Sequence, residues 1–126
     1  PDEVDTDASR LRLPDHVPHL DAVFNISHAS LITAAFASQR YELLRGSMSD
    51  RLHQPYREPA IPHLRPAIVA GVKAGALGGY LSGSGSAVAC LTLGDPGAVA
   101  AALQSVLPRA QVLILGADNH GVAVES

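Results

Sequence analysis

The chain has 126 residues, 47% of them hydrophobic, and nine Lys and Arg against twelve Asp and Glu give a formal net charge of -3. This size and apolar content predict one domain with its own core, and the lack of a basic stripe or Lys/Arg block argues against nucleic-acid binding. No uninterrupted apolar run reaches the ~18 residues of a membrane span, and the acidic N-terminus does not resemble a signal peptide, so we expect a soluble, cytoplasmic protein without a membrane partner.

Helical patterns dominate the first third of the chain. After a loop at 15–18, apolar residues with largely helical spacing predict the longest helix at about 19–39. Its middle carries three polar side chains, which must find partners or face a cavity: Asn25, Ser27 and His28. For His28 we expect a hydrogen-bonded place in the core. A second, short helix is expected over 41–48.

Three prolines then shape the segment DRLHQPYREPAIP, residues 50–62. Because proline excludes regular helix and central strand, this segment is predicted to be an irregular but stiff loop. Apolar residues four apart after the loop predict a third helix from Leu64, closed by Gly75, with Pro62 and Pro66 tolerated near its start.

Two short strands are predicted at 76–81 and 87–93, on either side of a Ser/Gly loop. Cys90, the single cysteine, is interpreted as a small buried residue of the second strand, which fits a reducing compartment. Asp95 and Pro96 predict the N-cap and first residue of a helix that ends at Pro108.

Two last strands are predicted at 111–115 and 121–124, separated by a turn. Helices come first along the chain, and strands with one intervening helix follow. This order predicts an α+β fold in which helices cover one face of an antiparallel sheet.

The loop LSGSGS (81–86) contains two glycines that adopt positive φ easily. Gly83 and Gly85 therefore suit an anion-binding nest, in which several backbone N–H groups point toward one place. They suit an ordinary tight turn equally well. The residues of the loop leave both interpretations open.

Arginines supply the other candidate chemistry. Arg57 lies between Pro55 and Pro59, and a guanidinium presented from a stiff loop is suited to bidentate binding of a carboxylate or phosphate. A solvated surface arginine is the alternative. Arg10 and Arg12, before Leu13-Pro14, allow the same two interpretations.

The remaining polar residues predict no catalytic or metal site in this chain. Five histidines are scattered without a Cys pair or an HExxH arrangement: His16, His19, His53, His63 and His120. Asp50 is interpreted as a loop charge and Asp21 as a capping residue of the long helix. The order of residues suggests no Ser/His/Asp triad.

Four segments taken together resemble the C-terminal half of the homoserine kinases, a branch of the GHMP family of small-molecule kinases. They occur in order over nearly the whole chain: TDASRLRLP (6–14), LDAVFNISHASLITAAF (20–36), DRLHQPYREPAIP (50–62) and GALGGYLSGSGSAVACL (75–91). The resemblance implies that residues 1–126 form a ferredoxin-like GHMP kinase C-terminal domain.

The resemblance also implies a reaction and a site. Enzymes of this branch transfer the γ-phosphoryl group of ATP to the hydroxyl of L-homoserine, with Mg²⁺, on the route to threonine. Arg10 and Arg57 match arginines expected to clamp the substrate carboxylate. The glycine loop is expected to close over the reaction centre, with its amides near the substrate and the transferring phosphate; its residues are Ser82, Gly83, Ser84 and Gly85.

Two departures from the family pattern qualify this expectation. Ser86 and Ala87 stand where the family has a proline and a hydroxyl residue, which is expected to loosen the turn. The family's ATP-binding loop, PxxxGLGSS, is absent from these residues. Because the chain also begins at Pro1 rather than Met, we expect it to be the second domain of a longer kinase, inactive without its N-terminal half.

Three alternatives stay open. The first is a GHMP kinase whose substrate lacks a carboxylate. The second is a non-catalytic module for small-molecule binding or dimerisation. The third concerns assembly, because apolar faces left exposed without the other half predict self-association of the isolated chain, for example as a homodimer.

Overall fold

The structure, a computed structural model, describes residues 6–122. Within this range it has five α-helices and one antiparallel pair of strands. In chain order these are α1 (Thr6–Arg10), α2 (His19–Ala37), α3 (Gln54–Arg57), α4 (Leu64–Lys73), β1 (Gly78–Leu81), β2 (Val88–Leu91) and α5 (Pro96–Val106). Short 3-10 helices cover Tyr41–Leu44 and Glu58–Ala60. The predicted α+β class is confirmed.

The two strands form a hairpin whose loop is the Ser/Gly segment. Gly78 pairs with Leu91 and Leu81 pairs with Val88, and the Ser82 amide extends the pairing by donating to the Ala87 carbonyl at 2.9 Å. The register therefore leaves residues 82–87 as a compact loop at one end of the hairpin.

Helix α4 packs closely on this hairpin, and α5 packs on α4. A Cβ atom built on Gly71 of α4 would lie 2.6 Å from Cys90 Sγ, and one on Gly79 of β1 would lie 2.9 Å from the same sulfur. Both distances are far below van der Waals contact, so a side chain at either position would force Cys90 to move. Burial at this contact raises the pKa of the Cys90 thiol.

Two apolar clusters position the loop end of the hairpin. One consists of Ile61, Leu64 and Leu81, with Ile68 and Val88 packed against it. The other joins the end of α2 to the first 3-10 helix and reaches the strands; its buried members are Ala35, Leu44, Met48 and Leu77. Leu81 and Val88, the residues that flank the loop at 82–87, are thus held in a packed apolar cluster.

Helix α2 is much less buried than its composition suggests. Ala35 is its one fully buried residue, whereas the side chains of Leu20 and Ile26 are 75% and 66% exposed. By length and composition alone α2 would pass as a membrane-spanning helix. Its polar middle is nevertheless partnered, because His28 Nδ1 lies 2.9 Å from the Phe24 carbonyl oxygen and the His28 ring stacks on that of Phe24.

Several predicted elements differ from the observed ones. The proline segment contains one turn of α-helix, α3, because Pro55 lies in the first turn, where no amide donor is needed. Residues 111–115 are not a strand, since no neighbouring strand pairs with them in the described range. Of the predicted strand at 121–124, Gly121 and Val122 are irregular, and the other two residues lie outside the described range. Helix α1 was not predicted.

The helix that follows the hairpin agrees with its prediction. The Asp95 side chain caps α5 by accepting a hydrogen bond of 2.8 Å from the Gly97 amide, and Pro96 is the first helical residue. Asp21, in contrast, makes no capping bond at α2; it pairs with Arg51, with 3.2 Å between Oδ1 and Nη1.

Candidate functional site

The loop at 82–87 has the backbone that its two glycines predicted. Gly83 has a φ of 61° and Gly85 a φ of 109°, both in the region that favours glycine. The Gly85 amide donates to the Ser82 carbonyl at 3.3 Å, so residues 82–85 form a tight turn. A Cβ atom on Gly85 would also lie 2.5 Å from Ile61 Cδ1, so a substitution would displace the end of that side chain in addition to straining the backbone.

Arg57, the last residue of α3, is buried against this loop. It is only 5% exposed, and its Nη1 donates to the Gly83 carbonyl at 3.3 Å. Its Nε is buried and finds no hydrogen-bond partner among the described residues. An unpaired buried donor on a cation is energetically unfavourable, so this nitrogen lowers the stability of the site as it stands.

Helix α1 also contacts this loop. Ser9 is buried, and its hydroxyl donates to the Ser84 carbonyl at 3.2 Å. Thr6 Oγ1 lies 3.5 Å from Ser84 Oγ. The loop is therefore contacted both by α1 and by Arg57, although these two segments are nearly fifty residues apart in sequence.

A pocket of about 250 Å³ lies where α1, Arg57 and the loop meet. It is lined by Ala8, Ser9, Arg12, Arg57, Ala60, Ile61 and Ser84. Two of the lining side chains are arginines and none is a carboxylate, so the pocket favours an anion. Its volume is below the usual range for drug-sized ligands and suits a molecule the size of an amino acid.

The predicted arginines differ in where they lie. Arg57 lines the pocket and contacts the glycine loop. Arg10 does not line the pocket; its side chain is 70% exposed, and its Nη1 lies 3.1 Å from Asp7 Oδ1. Arg12, two residues further on, is the second guanidinium of the pocket. Arg10 and Arg12, two residues apart in this segment, thus have different surroundings.

Asp50 fixes the start of the segment that carries Arg57. Its carboxylate accepts hydrogen bonds from the backbone amides of Leu52, His53 and Gln54 and from the side-chain amide of Asn25 on α2. Burial alone would raise the pKa of Asp50, but these hydrogen bonds together outweigh it and lower that pKa. The interpretation of Asp50 as a plain loop charge is therefore wrong.

The electrostatic influence of Arg57 is visible at a neighbouring histidine. Burial lowers the pKa of His53, the positive charge of Arg57 lowers it further, and Asp50 opposes the shift. Burial and the charge of Arg57 therefore both disfavour the imidazolium form of His53.

Sequence reasoning overlooked the residues that act through distant backbone contacts. Ser9 and Gln54 lie in segments that carry the family resemblance but were not singled out, yet Ser9 binds the loop and Gln54 accepts a hydrogen bond of 2.9 Å from the Leu81 amide. Their partners lie 75 and 27 residues away, so no local pattern could have identified them.

Comparison with known proteins places these features in a family. The family described as GHMP kinases C terminal matches residues 32–109. The chain is 40% identical to a homoserine kinase of Aquifex aeolicus; the match covers 98% of this chain and 43% of that relative. It is 45% identical to a homoserine kinase of Persephonella marina; that match covers 71% of this chain and 30% of the relative. A crystal structure of homoserine kinase from Cytophaga hutchinsonii superposes with a TM-score of 0.78 at 28% identity, covering 84% of this chain and 34% of that one. The chain thus spans less than half the length of these relatives.

Proposed function

Because this chain belongs to the GHMP kinase C-terminal family, we propose that it is the C-terminal part of a homoserine kinase, which phosphorylates the side-chain hydroxyl of L-homoserine in threonine biosynthesis. The observation that carries the proposal is the buried Arg57, which lines a small pocket beside Arg12 and donates to the glycine loop. A substrate carboxylate in this pocket meets two positive charges.

In this proposal the chain binds and orients the amino acid. The Nη1 bond to the Gly83 carbonyl fixes the plane of the Arg57 guanidinium before the substrate arrives, so little side-chain entropy is lost on binding. The carboxylate is bound at Arg57 and the opposite end of the substrate, with its hydroxyl, lies toward the glycine loop, residues 82–85. Such positioning contributes a large part of the rate of phosphoryl transfer.

The remaining parts of the enzyme are proposed to lie outside this chain. ATP supplies the phosphoryl group and Mg²⁺ neutralises its charge, and we assign both mainly to an N-terminal domain with which residues 1–126 would pack. The resemblance to an enzyme of amino-acid metabolism supports a cytoplasmic location. The exposed apolar side chains of α2 support contact with that domain or, in the isolated chain, self-association.

A pair of substrates that differ by the carboxylate tests the proposal. The full-length gene product is assayed for ATP-dependent phosphorylation of L-homoserine and of 3-aminopropan-1-ol, which keeps the amine and the hydroxyl but lacks the carboxylate. We expect kcat/KM to be about 100-fold or more lower for the second compound, since a charged hydrogen-bonded pair contributes about 1.5–3 kcal/mol and Arg12 adds to it. Equal kcat/KM values would contradict a carboxylate site, and activity only on mevalonate- or galactose-type alcohols would assign the chain to another branch of the family.

A further inference from the structure

Helix α3 contacts the hairpin at two points, one at each of its ends. Arg57, at its C-terminal end, donates to the Gly83 carbonyl. Gln54, at its N-terminal end, uses its Oε1 to accept a hydrogen bond of 2.9 Å from the Leu81 amide, and its Nε2 lies 3.5 Å from the Met48 carbonyl. One turn of helix therefore spans the last residue of β1 and the first glycine of the loop.

The Leu81 amide has no partner within the hairpin. The next amide, Ser82, points toward β2 and donates to Ala87, and because successive amides of a strand point to opposite edges, Leu81 N–H points away from β2. Gln54 is the residue that satisfies this edge donor at the position where the chain leaves the strand and enters the loop.

The backbone of Gln54 is itself fixed. Its amide donates to the Asp50 carboxylate, which also accepts from Leu52, His53 and the Asn25 side chain of α2. Asn25 Oδ1 in turn accepts a hydrogen bond of 2.9 Å from the Arg51 amide. A continuous set of hydrogen bonds thus runs from α2 through Asp50 and Gln54 to the start of the loop.

We propose that Gln54 is a positioning residue for the amino-acid site: it sets the distance between the loop amides at 82–85 and the guanidinium of Arg57. This inference rests on the proposed function, because it concerns the same pocket, and it assigns to Gln54 no contact with substrate. Loss of its acceptor frees the Leu81 amide and the loop that follows, while Arg57 stays on α3.

The test uses two variants of Gln54 and one matched control in the full-length gene product. Gln54→Met keeps the length of the side chain but removes the acceptor, whereas Gln54→Glu keeps an oxygen for the Leu81 amide and loses only the donor to Met48. Gln104→Met is the control, since Gln104 Nε2 also donates to backbone carbonyls, those of Leu107, Pro108 and Ala110 beyond α5.

We expect Gln54→Met to raise KM for homoserine roughly fivefold to tenfold, the equivalent of one lost hydrogen bond, with kcat and KM for ATP within about twofold. Gln54→Glu restores most of that KM, and Gln104→Met leaves it unchanged. The inference is overturned if the Met variant changes both KM values equally, if it changes neither, or if the control behaves like it. Should Gln54→Met fail to fold, Gln54→Asn, whose shorter amide does not reach Leu81, takes its place with the same expected rise.

Failure of this inference can be told from failure of the proposed function. If the unsubstituted protein does not phosphorylate homoserine, the proposed function is wrong, and positioning is then judged by amide hydrogen exchange. Faster exchange at Leu81 and at residues 83–85 in Gln54→Met than in Gln104→Met supports the role of Gln54. Equal exchange in the two variants contradicts it.

Discussion

The segment around α1 and the segment around α3 both contact the same loop and both carry arginine, yet the arginine side chains have different environments. Arg57 on α3 is 5% exposed, whereas the Arg10 side chain at the end of α1 is 70% exposed. The α3 segment is fixed by Asp50 and Gln54 through several backbone bonds, while the α1 segment meets the loop through the hydroxyls of Ser9 and Thr6. In this protein the buried guanidinium is thus the one whose backbone segment is fixed by several hydrogen bonds.

The largest difference between the two segments is expected when Arg57 is replaced. In the full-length gene product, Arg57→Ala is expected to raise KM for homoserine about 100-fold, because a charged, buried hydrogen-bond donor is removed from the carboxylate site. Activity on 3-aminopropan-1-ol should stay within about twofold, since that compound has no carboxylate to lose contact with. Arg65→Ala is the matched control, because Arg65 is exposed and pairs with Glu58. An equal loss on both compounds would mean that Arg57 supports the fold rather than binding the carboxylate.

The second prediction concerns the carboxylate that fixes α3. Asp50→Asn is expected to lower the free energy of unfolding by about 1–3 kcal/mol at pH 7, because several donors lose a charged acceptor. Urea denaturation of the full-length gene product measures this change. Asp21→Asn, which removes a half-exposed ion pair with Arg51, should lower it by less than about 1 kcal/mol. A similar loss in the two variants would contradict a special role for Asp50.

The pH dependence of the same difference follows from the direction of the pKa shift. The pKa of Asp50 is lowered in the folded protein, so its stabilising contribution is present above its unfolded pKa of about 3.9 and disappears as the pH falls through the folded value. The advantage of the unsubstituted protein over Asp50→Asn should therefore be constant from pH 6 to 8 and shrink below about pH 4. An advantage that persists at acid pH would show that the charge is not its source.

Replacing Arg12 tests how much the N-terminal segment contributes to binding of the substrate. Because Arg12 lines the pocket without being as deeply enclosed as Arg57, Arg12→Gln is expected to raise KM for homoserine about threefold to tenfold. The measurement is the same assay, and KM for ATP should not change. No change in either KM would place Arg12 outside the substrate's reach.

The smallest effect is expected at Arg10, the arginine to which the family resemblance assigned a carboxylate contact. Its exposed pairing with Asp7 predicts that Arg10→Gln changes KM for homoserine by no more than about twofold. Arg12→Gln provides the comparison. A larger effect at Arg10 than at Arg12 would support the family assignment over the geometry described above.

The local elements with strong physical signals were predictable from sequence. Helix α4 follows from apolar residues four apart, α5 from Asp95 and Pro96, and the hairpin from two apolar runs around glycines. Helix α3 was missed because it is a single turn whose stability comes from the side chain of Asp50, outside the helix. The strand at 111–115 was predicted from its apolar residues, but a strand requires a neighbour and none is present among residues 6–122.

The candidate site was also predictable only where a local pattern in the sequence marks its residues. The glycines at 83 and 85 and the prolines around Arg57 each restrict the backbone locally, so their positions were identified. Gln54 and Ser9 were not, because a hydrogen bond to a backbone group many residues away leaves no pattern in the nearby sequence. The arginine that lines the pocket on α1's side was ambiguous for a related reason, since α1 itself was not foreseen.

The sulfur of Cys90 fills the space left by Gly71 and Gly79, so this thiol is a built-in probe of the contact between α4 and the hairpin. Burial raises the pKa of this thiol and so disfavours the reactive thiolate, which slows its reaction with thiol reagents in the folded protein. The rate of alkylation therefore reports on the packing of α4 against the strands, without any introduced label.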